Sequence, residues 1–118
     1  MDIIYLRELR VDAVIGINEW ERRIRQVVSI DLDMGADIHK AAVSDAIEDT
    51  LNYKAVAKRV VTFVEDSQFN LVETLAERIA ELLLNEFDIP WVQVKLNKPG
   101  AVRGSQGVGV IIERKARS

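Results

Sequence analysis

The sequence contains no cysteine and a single histidine, His39. The first absence excludes disulfides, thiolate nucleophiles and cysteine-bound metals. The second leaves no set of imidazoles for a multi-histidine zinc site. Basic charge is not in excess either: 16 Lys and Arg stand against 19 Asp and Glu, a formal net charge of −3. A nucleic-acid backbone calls for the opposite balance, so nucleic acid is not an expected partner. The basic residues between Glu113 and Arg117 read as a solvated terminus. No apolar run approaches the roughly 18 residues of a membrane span. The opening Met-Asp-Ile-Ile-Tyr-Leu-Arg-Glu lacks the basic region and apolar core of a signal peptide. The expected compartment is therefore the cytoplasm, with no membrane partner.

What is present suits one globular domain over residues 1–118, since 48% of the residues are hydrophobic. Residues 3–14 read as a strand. Ile4, Leu6, Leu9 and Val11 fail to alternate cleanly, and the slip near Glu8 predicts a bulge. Residues 16–23 form a polar loop around Trp20. From Val27 to Ile38, Val28, Ile30, Leu32 and Met34 alternate with Ser29, Asp31 and Asp33, the pattern of an antiparallel strand with one wet face. Residues 39–52 are a connection with room for one helical turn at 40–46. A helix is predicted over 53–66, with Val56, Val60 and Phe63 or Val64 on one stripe. A second covers 71–87, with Leu75, Ile79, Leu82 and Leu83 inward and Glu73, Glu77 and Glu81 on another face. Strands follow at 91–96 and 107–112. The only two prolines, Pro90 and Pro99, mark the ends of the third strand. The order is β-β-α-α-β-β: an α+β fold, a four-stranded antiparallel sheet with two helices on one face. Such a sheet has two open edges. Joining sheets between subunits into a barrel removes them, which favours an oligomer.

Four polar residues invite a chemical reading, and each has a plainer one. Asn70-Leu71-Val72-Glu73 fits a capping box with Asn70 as N-cap and Glu73 at N3. Alternatively Glu73 is an anion favoured by the helix dipole, able to accept two parallel hydrogen bonds from an amino-pyrimidinone edge. Tyr53, at a helix start, is either a half-buried aromatic or a phenol that relays a proton. Lys98, just before Pro99-Gly100, is either a surface lysine guarding an edge or a cation buried between subunits and used in proton transfer. Glu21 is either a solvated loop residue or part of a site carried on a rigid scaffold. Gly104, Gly107 and Gly109 lack the strand–loop–helix setting of a phosphate cradle and read as a bend into the last strand. His39 reads as a strand-end residue, and Trp20 and Trp91 as packing or interface residues.

These segments, in this order, resemble the dihydroneopterin aldolase family, in its proteobacterial form. Ile15-Gly16-Ile17-Asn18-Glu19-Trp20-Glu21 is similar to the family's first loop. Asp49-Thr50-Leu51-Asn52-Tyr53 is similar to the segment that supplies its tyrosine. Asn70 to Ala80 and Val94-Lys95-Leu96-Asn97-Lys98-Pro99-Gly100-Ala101 resemble those that supply its pterin-binding glutamate and catalytic lysine. Ile15 stands where some members carry a histidine. The resemblance implies the tunnelling fold, with β2α2β2 subunits in tetrameric rings that stack as a homo-octamer. It puts the sites between subunits, with Glu21 and Lys98 of one chain meeting Tyr53 and Glu73 of another. It implies Lys98, Tyr53 and Glu21 as catalytic residues. Glu73, Glu21, Leu51, Leu71 and Val72 bind substrate, and there is no cofactor or metal. The implied reaction is retro-aldol cleavage of 7,8-dihydroneopterin, a step of folate biosynthesis, without a metal or a Schiff base. Epimerisation at C2′ to 7,8-dihydromonapterin is an implied second activity. The competing readings are a dihydroneopterin triphosphate 2′-epimerase, a zinc-dependent pterin enzyme of the same fold, and a non-catalytic pterin-binding protein.

Overall fold

A computed structural model describes residues 1–117. Four strands, β1 (Asp2–Ala13), β2 (Gln26–Ala36), β3 (Trp91–Pro99) and β4 (Gly107–Lys115), form one antiparallel sheet in the order β1-β2-β3-β4. A short helix α1 (His39–Ser44) and a 3-10 turn (Ile47–Asp49) lead into α2 (Tyr53–Asp66) and then α3 (Val72–Glu86). The predicted element order therefore holds. His39 opens α1 and is exposed, rather than ending a strand.

Alternation in β2 puts Val28, Ile30, Leu32 and Met34 fully inside, joined by Val92, Val94 and Leu96 of β3. Against this face α2 packs Val56, Val60 and Val64, and α3 packs Leu75, Ile79 and Leu83. Helix α2 lies over β1, and α3 over β3 and β4. Phe63, weighed against Val64 for the inward stripe, is only half-buried. Burying one Leu or Ile side chain contributes roughly 1.5–3 kcal/mol. The bidentate Arg114–Glu77 and Arg59–Glu86 pairs on the outside are screened by water. Apolar burial therefore holds the helices to the sheet.

The bulge falls where the pattern slips. Leu6 pairs with Leu32 and Leu9 with Ile30, so Arg7 and Glu8 together face Asp31. Glu8 takes a φ of 51° and its N–H donates to the Asp31 carboxylate at 2.6 Å. The extra residue lets Leu6 and Leu9 both lean toward the helices, which a regular strand forbids at that spacing. At the other edge β4 comes close to β3: a Cβ on Gly109 would fall 1.7 Å from the Leu96 carbonyl oxygen. Gly107 and Gly109 thus lie within β4 and serve its close packing on β3, and of the three glycines read as a bend only Gly104 lies in the turn before it. Strand β3 runs three residues beyond Leu96, where the alternation was read to stop, to the Pro99 that marks its end, and that extension builds the site.

Candidate active site

Lys98 sits in the inward row of β3, after Val92, Val94 and Leu96. Its side chain is carried toward the core by the same period of two that buries its neighbours. It is 9% exposed, so it is not an edge-guarding surface lysine. An ammonium there requires a buried acceptor. Glu21, 4% exposed, supplies it: Lys98 Nζ donates to Glu21 Oε2.

The β1–β2 loop shapes that carboxylate in advance. Asn18 caps a 3-10 turn, Glu19–Arg23. Glu21 reaches back so that Oε1 accepts from the Asn18 N–H at 3.3 Å and from Asn18 Nδ2 at 2.7 Å. Gln26 Nε2 donates to Oε2 at 3.2 Å while also holding the Ile15 carbonyl at 2.9 Å. The Lys98 bond chiefly, with those from Gln26 and Asn18, holds the Glu21 carboxyl at about 2 against the opposing effect of burial. Gly16 makes room for the group. Its φ is +130°, and a Cβ there would stand 2.3 Å from the Glu21 carboxyl carbon.

Glu73 opposes this pair from the first turn of α3. The N-cap of α3 is Leu71, with no side-chain cap, so the expected Asn70–Glu73 capping box does not form. Asn70 stands one residue too early to reach the first-turn N–H groups. Those donors remain free of side-chain partners, as does the exposed Glu73 carboxylate among the described hydrogen bonds. The glutamate that does reach back to its N-cap is Glu21, in the Asn18-Glu19-Trp20-Glu21 segment.

Glu21, Lys98, Glu73, Leu71 and Val72 line one open cleft of ≈370 Å³, together with Trp20, Gly100 and Val108. That volume is within the usual range for a small-molecule site. Tyr53 and Leu51 are not in it. Tyr53, 47% exposed, lines a groove with Ile47, Asn52 and Lys58. Leu51 lines a separate hollow with Asp37, Asp49 and Asp88. The expectation that Glu73 joins Tyr53, opposite Glu21 and Lys98 of another chain, is corrected accordingly: Glu73 shares the cleft of its own chain's Glu21 and Lys98. Gly16, Asn18 and Gln26 were not singled out as site residues. The Asn18-x-x-Glu21 spacing is the capping signature that marks two of the participants. Among the described residues no cluster of three or more His, Cys, Asp or Glu is arranged to hold a metal ion.

The profile of the family described as FolB: dihydroneopterin aldolase matches residues 4–113. The chain belongs to the dihydroneopterin aldolase family. The dihydroneopterin aldolase of Escherichia coli K12 is 49% identical over 114 residues, which cover 97% of this chain and 93% of that one. The crystal structure of the E. coli enzyme in complex with neopterin superposes with a TM-score of 0.94, covering 97% of this chain and 99% of that one. The α+β tunnelling fold expected from the sequence is the fold found. A dihydroneopterin triphosphate 2′-epimerase of E. coli K12 is also related, at 30% identity over 110 residues, 93% of this chain and 92% of its own. No helix among the described residues is long and apolar enough to cross a membrane.

Proposed function

We propose that this chain is a 7,8-dihydroneopterin aldolase of the cytoplasm, cleaving its substrate to 6-hydroxymethyl-7,8-dihydropterin and glycolaldehyde for folate biosynthesis. The observation that carries this reading is the single cleft shared by the Glu21–Lys98 pair and the uncapped, carboxylate-bearing start of α3. The cleft has two chemically different walls, and dihydroneopterin has two matching ends.

The Glu73 carboxylate accepts two hydrogen bonds from the amino-pyrimidinone edge. The free N–H groups at Leu71 and Val72 donate to the ring's acceptors. The trihydroxypropyl chain then extends toward Glu21 and Lys98. Glu21 orients its hydroxyls as a fixed acceptor, and Lys98 handles protons near N5 or through a water. Removal of the C2′ hydroxyl proton lets the C1′–C2′ bond break. Its electron pair moves into the N5=C6 imine, and glycolaldehyde departs. The resulting enamine is protonated at C1′, which gives the hydroxymethyl product. The imine of the substrate is the electron sink, so neither a metal nor a lysine Schiff base takes part. Before the enamine is protonated, glycolaldehyde can turn over and re-add, which gives 7,8-dihydromonapterin as a second product.

Tyr53 and Leu51 complete the site from a neighbouring subunit, within a homo-octamer of two stacked tetrameric rings. This reading is supported by the exposure of Tyr53 beside Ile47 and by the open edges of β1 and β4. Among the cleft-lining residues Lys98 is the only lysine or arginine, and it is already paired. A triphosphate-selective epimerase would need more cationic charge there.

Incubation of the protein with 7,8-dihydroneopterin and a chelator, followed by chromatography, tests the proposal. The expected result is equal amounts of 6-hydroxymethyl-7,8-dihydropterin and glycolaldehyde, with no reduced adduct on the protein by mass after a borohydride quench. Dihydromonapterin without cleavage would make the chain an epimerase. An unchanged substrate would overturn the proposal in favour of a triphosphate substrate or of binding without turnover.

A further inference from the structure

Two arginines of the β1–β2 loop pair with no carboxylate among the described residues. Both donate to main-chain carbonyls instead. Arg25 Nη1 donates to the Glu65 carbonyl in the last turn of α2 at 2.9 Å and to the Asp12 carbonyl at 3.5 Å. Arg22 reaches further. Its Nη1 donates to the Phe69 carbonyl at 2.9 Å and to the Gly16 carbonyl at 3.3 Å, and its Nη2 donates to the Gln68 carbonyl. Carbonyls just past a helix end have no helical donor. A planar guanidinium can serve several of them at once from one fixed orientation.

The position of these bonds gives them meaning beyond the α2 terminus. Gly16, at one end, accommodates the Glu21 carboxylate, and Arg22 follows Glu21 directly. Gln68 and Phe69, at the other end, lead into Leu71, Val72 and Glu73. Among the described hydrogen bonds, those from Arg22 to Gln68 and Phe69 are the ones that tie the Glu21 wall of the cleft to the segment entering α3.

We propose that Arg22 is a positioning residue for this reaction: its guanidinium sets the separation between the Glu21–Lys98 wall and the Glu73 wall. This rests on the aldolase reading above, and it adds a residue and a division of labour. A ring without the trihydroxypropyl chain needs only the Glu73 wall. The full substrate needs both walls in register, and misplacement by about 1 Å can cost on the order of 100-fold in rate.

The test compares Arg22→Ala, Arg22→Lys and Arg25→Ala with the unmodified protein. It measures kcat on 7,8-dihydroneopterin and Kd for pterin, which lacks the side chain, with Tm as a check on folding. The expected result for Arg22→Ala is a loss in kcat of about tenfold or more with pterin Kd changed less than about twofold. Arg22→Lys, holding one carbonyl at a time, falls between. Arg25→Ala stays near the unmodified protein in both. Turnover by Arg22→Ala within about twofold of the unmodified protein overturns the proposal. So does loss of pterin affinity in proportion to kcat, or the same defect in Arg25→Ala. If Arg22→Ala does not fold, a folded Arg22→Lys with unaltered kcat overturns it. Absence of cleavage by the unmodified protein instead removes the aldolase reading, and this proposal with it.

Discussion

Glu21 shows how much one side chain can settle. Its carboxylate is buried, yet it has donors on both oxygens, and its pKa of about 2 is well below the ordinary 4.5. A carboxyl depressed on folding adds stability that is fully present above its unfolded value and is lost as pH falls through its folded value. The Glu21 contribution should therefore persist down to about 4.5 and fade between there and about 2. Glu21→Gln removes the titrating group. Urea midpoints of the two proteins should differ by a constant amount near neutrality, with the natural protein the more stable, since the variant leaves the Lys98 cation unbalanced. The gap should narrow as the pH drops toward 2. A gap that stays constant throughout would show that this carboxylate is not depressed. The burial of Glu21 was hard to see in advance because Glu19-Trp20-Glu21-Arg22-Arg23 reads as wet surface. What buries it is a glycine five residues earlier, whose missing Cβ leaves room, and a lysine far along the chain that only the tertiary fold brings near.

At the scale of elements, periodicity carried most of the fold. Strand β2 alternates because one face is wet, and the helices were found because their apolar stripes recur at the helical period. The bulge near Glu8 was visible for the same reason: a slip in phase is itself a signal. The end of β3 was only half visible: Pro99 marked it, but Asn97 and Lys98 are polar, so the inward alternation read as stopping at Leu96. The capping box at Asn70 misled because the spacing is right but the helix starts one residue later. The energetic claim that burial secures α3 has its own check. Ile79→Ala should cost about 2–5 kcal/mol, with a clear drop in Tm. Arg114→Ala, which breaks an exposed pair, should barely move the Tm. Equal losses would show that the charged fringe matters as much as the core.

At the scale of the molecule, the cleft of one chain does not contain Tyr53, which the proposed site takes from a neighbour, and a sequence alone cannot say which candidates share a chain's own cleft. The placement of Glu21, Lys98 and Glu73 in one cleft and Tyr53 elsewhere changes which mixed assemblies should work. Subunits carrying Glu73→Ala and subunits carrying Tyr53→Phe, each weakly active alone, should regain activity when coassembled. Up to about a quarter of sites in a random equal mixture would be whole. Glu21→Ala with Glu73→Ala should recover nothing, because every cleft keeps one defect. Recovery in that second mixture, with subunit exchange verified by mass, would return Glu73 to the opposite side of the interface.

The place of Lys98 in the apolar row of β3 has a consequence for how errors in folding would be felt. A strand shifted by one residue turns each of its side chains to the opposite face. In such a slip Lys98 would swing out to water, Lys95 and Asn97 would be forced against the helices, and Glu21 would lose its counter-charge. On the proposed mechanism, the misfolded species would be inert as well as unstable. Turnover therefore doubles as a proofreader of strand pairing, since only molecules with β3 in its native alignment can be counted by an assay.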